Sequence, residues 1–417
     1  AGTWRAWDLR DDRDVAVKIL QARFISDSGA VGRFEEALSL ASGLDHPQIC
    51  HVVSGVAEYG GFQYAAVEYH AAGSLEDAVA TGRISRIGAL QAVIDAGRGL
   101  AHAHDRQANH GNLSPRNILL GSDGTGLLCD LRLSSRDGHH MGSVYTAPEA
   151  AEAGFVPNIS ADLYALAMTL LFALHGKQLP FWVIRDAQRL IGDLTLDAEV
   201  SVALAASVSW DDSERAASVD ALLNALLKPD HVLFDLAAHA RETGRLSLAR
   251  DYYDQLLART DGAPDVRVQL GRVLGDLGES AAATEHLMIA LRSDELTDVD
   301  GTLLALRTLS EAAGEFENLL DALETRADTD TMHRDALLIE AARIQQQHFD
   351  NAAAAALAWR TALDAHKTRA QAAEALAALV ASASKNNEWE SYVSNGKELI
   401  GYLSGERRAE LLHQLGR

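Results

Sequence analysis

The stretch HGNLSPRNILL, His110 to Leu120, is followed shortly by LLCDLRL, Leu127 to Leu133. Two short apolar runs, each entered or left through polar and turn-forming residues, predict a loop and a strand held by Pro115 and Ile118 to Leu120, with acidic Asp130 just beyond the second run. His110 is expected to be a packed, hydrogen-bonded loop histidine. Asn117 is suited to close a turn with its side chain. Asp130 is suited to cap the following loop. Cys129 reads as a small buried residue, because reactivity would need a stabilised thiolate.

The flanking sequence has two different styles. VAVKIL (Val15 to Leu20) and FQYAAVEY (Phe62 to Tyr69) read as strands around a helical segment from Phe34 to Leu44, an α+β pattern. Trp4 and Trp7 are expected to pack on alternate sides of the first hairpin. From Leu75 to Leu227 the chain reads as mostly helical, interrupted by the quoted stretch and by a loop from Ser134 to Pro157. After His231 only helices are expected. There GRLSLARDYY, GESAAATEHL, GEFENLLDAL and HFDNAAAAAL begin at Gly244, Gly278, Gly314 and His348, with offsets of 34, 36 and 34 residues. Such a period predicts stacked helical hairpins, with a turn residue between helices and a small residue five positions later. That position holds Ala249, Ala283 and Ala353, whereas Leu319 breaks it; NEWESYVSNG from Asn387 is a weaker fifth copy. The array resembles tetratricopeptide repeats with a degenerate aromatic signature.

Bulk properties restrict the function. The chain has 417 residues, 47% hydrophobic, with 59 acidic against 37 basic residues and a net charge of −22. That length predicts more than one compact unit, and that charge repels nucleic acid and anionic lipid. Two cysteines, Cys50 and Cys129, without metal-ligand spacing argue against a disulfide scaffold or zinc site. No secretory signal or long apolar span is evident, so a cytoplasmic location is expected, without membrane insertion. The chain starts without methionine, and further residues, including any attachment, are expected before it.

In order along the first 227 residues, many motifs resemble the bacterial serine/threonine protein-kinase family of the eukaryotic-like type. GTWRAWD (Gly2 to Asp8) resembles the end of the glycine-rich loop and the next strand. VAVKIL resembles the strand bearing the ATP-positioning lysine, here Lys18. The hinge begins at VEY with Val67 as gatekeeper, so Val67, Glu68 and His70 match nucleotide-contacting positions. HGNLSPRNILL matches the catalytic loop, LLCDLRL the metal-binding aspartate motif, and YTAPEA (Tyr145 to Ala150) the end of the activation segment. Asp162 matches the aspartate of the long lower-lobe helix, and Arg215 the arginine that pairs with Glu149. The resemblance implies a two-lobed fold, with residues 1–69 as upper lobe, 70–230 as lower lobe and 231–417 as helical repeats. It also implies that Asp162 accepts hydrogen bonds from amides around His110.

Phosphoryl transfer to a hydroxyl uses a lysine, magnesium and an aspartate that takes the acceptor's proton. Asn112 stands where the family has that aspartate, and an amide is a negligible base. Ser114 stands where the family has a phosphate-steadying lysine, removing a cation from the transition state. The glutamate that pairs with Lys18 falls at Ala37, with Glu35 and Glu36 just before it. Lys18 is then expected to face phosphate unaided or to pair with Asp130. Leu131 and Arg132 replace the family's aromatic and glycine, so the left-handed backbone at residue 132 is expected to be restricted. Arg132 is also a candidate internal cation in the phosphate site. Ser134, Ser135, Ser143, Tyr145 and Thr146 offer no compelling switch site, and His139 and His140 are expected to be solvated.

These substitutions predict a pseudokinase that acts as a regulatory or scaffolding module and binds protein or peptide through the repeats. ATP with Mg or Mn is the cofactor that Lys18, Asn117 and Asp130 would hold, with no cofactor as the alternative. A divergent ATP-dependent kinase or nucleotidyltransferase using the same three residues is the second expectation. A short junction near Lys228 to Val232 predicts that the first repeat braces the lower lobe.

Overall fold

From Ala16 to Ile19 buried and half-buried residues alternate on the second strand. The computed structural model describes residues 2–132, 143–152, 154–349 and 351–415, and Ser134, Ser135, His139 and His140 lie outside them. Strands β1 (Gly2–Asp8), β2 (Arg13–Ile19), β3 (Val52–Tyr59) and β4 (Phe62–Glu68) form an antiparallel sheet in the order β1-β2-β4-β3. Helix α1 (Ser28–Ser42) begins six residues before the expected Phe34, because the Asp27 carboxylate caps the amides of Gly29 and Ala30. Phe34 and Leu38 of α1 pack on Ala16, Ala65 and Val67 of the sheet. Trp4 and Trp7, expected to pack, stand exposed.

Below the sheet, α2 (Leu75–Ala80) and α3 (Arg86–Asp105) precede a hairpin of β5 (Ile118–Leu120) and β6 (Gly126–Leu128). The register pairs Ile118 with Leu128, which sets Asn117 beside Cys129: the Cys129 amide donates to the Asn117 carbonyl at 3.0 Å. Helix α4 (Ile159–His175) runs through the core, with Leu163 to Ala173 all buried. Helices α5 (Ala187–Asp193), α6 (Ala198–Ser207) and α7 (Val219–Leu226) follow.

The helices after residue 229 come in pairs: α8 (Asp230–Glu242) and α9 (Leu246–Arg259), α10 (Pro264–Asp276) and α11 (Ser280–Leu291), α12 (Val299–Ala313) and α13 (Glu317–Thr329), α14 (Arg334–His348) and α15 (Ala352–Ala365), α16 (Arg369–Lys385) and α17 (Trp389–Ile400), then α18 (Gly405–Leu415). Four of the turns within pairs contain a left-handed residue: Gly244, Gly278, Gly314 and Asn387, with φ of 77°, 81°, 70° and 59°. Glycine carries no Cβ penalty there and asparagine a reduced one. The fourth pair departs from the pattern. Phe349 is extended, the chain enters α15 later, and the buried small residue is Ala355 rather than the expected Ala353, which is exposed.

Compact packing divides the chain into residues 1–252 and 253–417. Residues 1–252 thus include α8 and half of α9. Within residues 253–417, burial follows helical spacing: α16 buries Ala372, Ala375, Leu376, Leu379, Val380 and Ala383, behind a capping box of Thr368 and Gln371. Successive apolar clusters share these helices, Leu379 packing toward Trp359 and Leu376 toward Leu399 and Leu411. Among the described residues no helix is long and apolar enough to cross a membrane, and no His/Cys/Asp/Glu cluster suits a metal ion.

Candidate functional site

The loop from His110 to Asn117 hangs from one buried carboxylate. Asp162, in the first turn of α4, accepts from the His110 amide at 2.6 Å and from the Gly111 amide at 2.8 Å, and His104 Nε2 lies 3.0 Å away. His110 is fully buried, its Nε2 is 2.9 Å from the Cys129 carbonyl, and its Nδ1 is 3.2 Å from the Asn112 amide. Burial pushes the imidazole below its ordinary value, the nearby Asp162 opposing. It is therefore a structural, neutral ring rather than a proton carrier.

Asn117 donates from Nδ2 to the Asn112 carbonyl at 2.7 Å. That bond closes the loop and leaves Oδ1 as an acceptor. Asn112 and Ser114 line the same cleft, which has a volume of about 1120 Å³ and also touches Glu36, Arg132 and Tyr145. At Asn112 the cleft presents an amide, which can hydrogen-bond a hydroxyl but accepts no proton near neutral pH. At Ser114 it presents no charge.

Lys18, on β2, is buried and ion-pairs with Asp130. Burial lowers the ammonium's pKa from lysine's ordinary value, and so placed a charge requires a partner such as this carboxylate. Ala37 is buried beside them: it shares with Lys18, Val67, Cys129 and Asp130 a small cavity of about 20 Å³. The position expected to hold the helix glutamate thus faces the lysine with a methyl group. Glu36, one residue earlier, turns away and lies 3.6 Å from Arg132 Nη1.

Arg132 departs from expectation twice. It adopts the left-handed backbone anticipated to be restricted, with φ of 53°, and Asp130 does the same at 64°. Each such residue costs about 1–2 kcal/mol, offset here by bonds. The Arg132 amide donates to the His110 carbonyl at 2.7 Å, and Nε and Nη2 donate to Asn109 Oδ1 at 2.9 and 2.5 Å. Arg132 therefore straps α1 to the catalytic-type loop instead of standing free as a phosphate-site cation. Asn109 and the Glu36 to Arg132 pair were not singled out from sequence; no local pattern joins residues so far apart in the chain.

At the other edge, Val67 is buried at the end of β4. Glu68 Oε2 and His70 Nε2 are 3.6 Å apart, and burial lowers the His70 pKa. The Cys50 thiol donates to the Glu68 carbonyl at 3.7 Å. Burial raises both thiols, Cys50 to about 12 and Cys129 to about 11, so neither is a ready nucleophile. Beneath the cleft, Arg215 grips Glu149 with two bonds of 2.6 and 2.7 Å. Burial alone would raise the Glu149 carboxyl, but the Arg215 guanidinium together with a backbone hydrogen bond holds the group below its ordinary value.

An ATP-bearing site would use these groups as follows. Lys18 would meet phosphate, while Asn117 Oδ1 and the Asp130 carboxylate would hold Mg or Mn, which neutralises phosphate charge when bound. The donor set fits such a ligand: one cation, two oxygen ligands and a strand end at Val67 to His70.

Residues 3–232 match the protein kinase domain family. The chain is 32% identical over 191 residues to the serine/threonine-protein kinase PrkC of Bacillus subtilis, covering 43% of this chain and 29% of that one. It is 30% identical over 181 residues to the probable serine/threonine-protein kinase PknB of Lactococcus lactis, covering 41% and 28%. It is 31% identical over 196 residues to the serine/threonine-protein kinase PknA of Mycobacterium tuberculosis, covering 43% and 44%. The matched region is thus less than half of each relative's own length. With the Asp162 hub, the Glu149 to Arg215 clamp and the Lys18 to Asp130 pair in place, this chain belongs to the protein kinase family.

Proposed function

We propose that the chain is a pseudokinase: a kinase fold that serves as a regulatory or scaffolding module and carries a tetratricopeptide-like array for binding protein or peptide. The observation that carries this is Asn112 and Ser114 in a loop whose frame is otherwise complete. A base and a cation are both missing from the site of transfer, and removing transition-state electrostatics typically slows reactions by orders of magnitude. Left-handed turn residues at a period near 34 support the repeat assignment. Incubating the full chain with radiolabelled ATP and Mg or Mn tests the proposal. No labelled protein is expected, and incorporation abolished by Lys18→Ala would overturn it.

A second function is favoured by one specific observation: Lys18 is retained in an ion pair with Asp130, and the Cys129 amide just before Asp130 bonds the Asn117 carbonyl. A divergent transferase would use them to hold Mg-ATP and deliver a phosphoryl or nucleotidyl group to an acceptor deprotonated elsewhere. Mass analysis of products, with Asp130→Ala as control, separates the two.

A further inference from the structure

Asp95 is an acid in the middle of an apolar helix. Its neighbours in α3, Ala92, Val93, Ile94 and Ala96, are at most 1% exposed, and Asp95 itself is 0% exposed. A carboxylate in such a place must be paired and hydrogen-bonded. Gln91 Nε2 donates to Oδ1 at 2.8 Å and the Gly126 amide to Oδ2 at 3.2 Å. The direct cationic bonds come from Arg245, which donates Nη1 to Oδ2 at 2.7 Å and Nη2 to Oδ1 at 3.1 Å. Arg98 is more distant, at 3.6 Å, and instead donates to the Tyr252 hydroxyl at 3.0 Å.

Arg245 sits in the turn between α8 and α9, beyond residue 232, where the family match ends. Two further contacts fix that hairpin. His239 of α8 packs against Gly88 of α3, within 3.1 Å of where a Cβ would stand, and Tyr252 of α9 is 1% exposed. The opposite side of the socket is equally tight. A Cβ on Gly126 would lie 1.9 Å from the Ala92 carbonyl, so β6 is pressed onto α3 with its amide aimed at Asp95.

We infer that Asp95 is a buried socket for the chain's own α8–α9 hairpin, plugged by Arg245, and that the kinase-fold unit is completed by residues outside the family's usual domain. Without the plug, the carboxylate keeps two neutral donors and a distant arginine, which leaves a buried charge undercompensated.

The test compares full-length Arg245→Ala, Asp95→Asn and the double variant by hydrogen exchange and thermal unfolding. Arg245→Ala is expected to reduce protection of the Gly126 amide by roughly 100-fold or more, the loss anticipated when one partner of a buried pair is removed. Asp95→Asn/Arg245→Ala is expected to recover part of that loss, because a neutral amide needs no cation. Unchanged protection in Arg245→Ala, or strictly additive losses in the double variant, overturns the inference. If Arg245→Ala does not fold, a folded double variant supports the socket, and failure of both overturns it.

Discussion

The floor of the kinase-fold unit and the mouth of its cleft treat charge differently. On the floor, Asp162 has two amides and His104, and Glu149 has both arms of Arg215. At the mouth, a base, a cation and a helix glutamate expected from the family are an amide, a hydroxyl and a methyl. Charges that hold the fold together have been kept with full complements of partners. Asn112, Ser114 and Ala37 carry no charge, and the pair that stays at the cleft, Lys18 with Asp130, satisfies itself.

Removing Asp162 is the most severe way to probe that contrast. Asp162→Ala strands the amides of His110 and Gly111 and should lower stability by about 3–5 kcal/mol in denaturant titration. A loss below about 1 kcal/mol would mean that the floor is not the stabilising region. Ala37→Glu probes the mouth. A longer side chain beside a cavity of about 20 Å³ should cost about 1–3 kcal/mol by overpacking and bring no phosphotransfer, since Asn112 and Ser114 remain. Turnover in that variant would show that one glutamate was the decisive loss.

The smallest effect is a pH dependence. Glu149 titrates below its ordinary 4.5 in the folded state because Arg215 and a backbone hydrogen bond together outweigh burial. Its stabilisation is therefore present above about pH 4.5 and is lost as pH falls through the folded value. Glu149→Gln should cost about 1 kcal/mol near pH 7, with the gap to the unaltered protein closing in acid. A gap that widens on acidification would contradict the clamp.

Much of this was legible in the chain. Lys18, Asn117 and Asp130 were singled out through motifs that resemble the kinase family, and the short runs around Asn117 and Asp130 pair locally in the β5–β6 register. Asp162, Glu149 and Arg215 followed from their motifs and met as expected. Strand β3 was missed: VVSGVAEY carries register shifts and mostly exposed residues, which blur the two-residue alternation. Ala353 was misplaced because an extended Phe349 changes the phase of the next helix, an event no fixed offset registers. The Arg132 strap depends on partners from two other elements, so only the folded chain reveals it. Asp95 did leave a local trace, a lone acid within ALQAVIDAG, but its cation lies 150 residues away.

The hairpin turns carry one more consequence. Apart from the glycine and its two chain neighbours, no heavy atom lies within 4 Å of where a side chain would begin at Gly244, Gly278 or Gly314, so these sites exclude other residues by handedness rather than by size. A mirror-image alanine introduced by chemical synthesis would suit the same backbone angles that burden its natural counterpart. The array's punctuation is thus written in chirality, and Asn387 is the place where a natural L-residue writes it too.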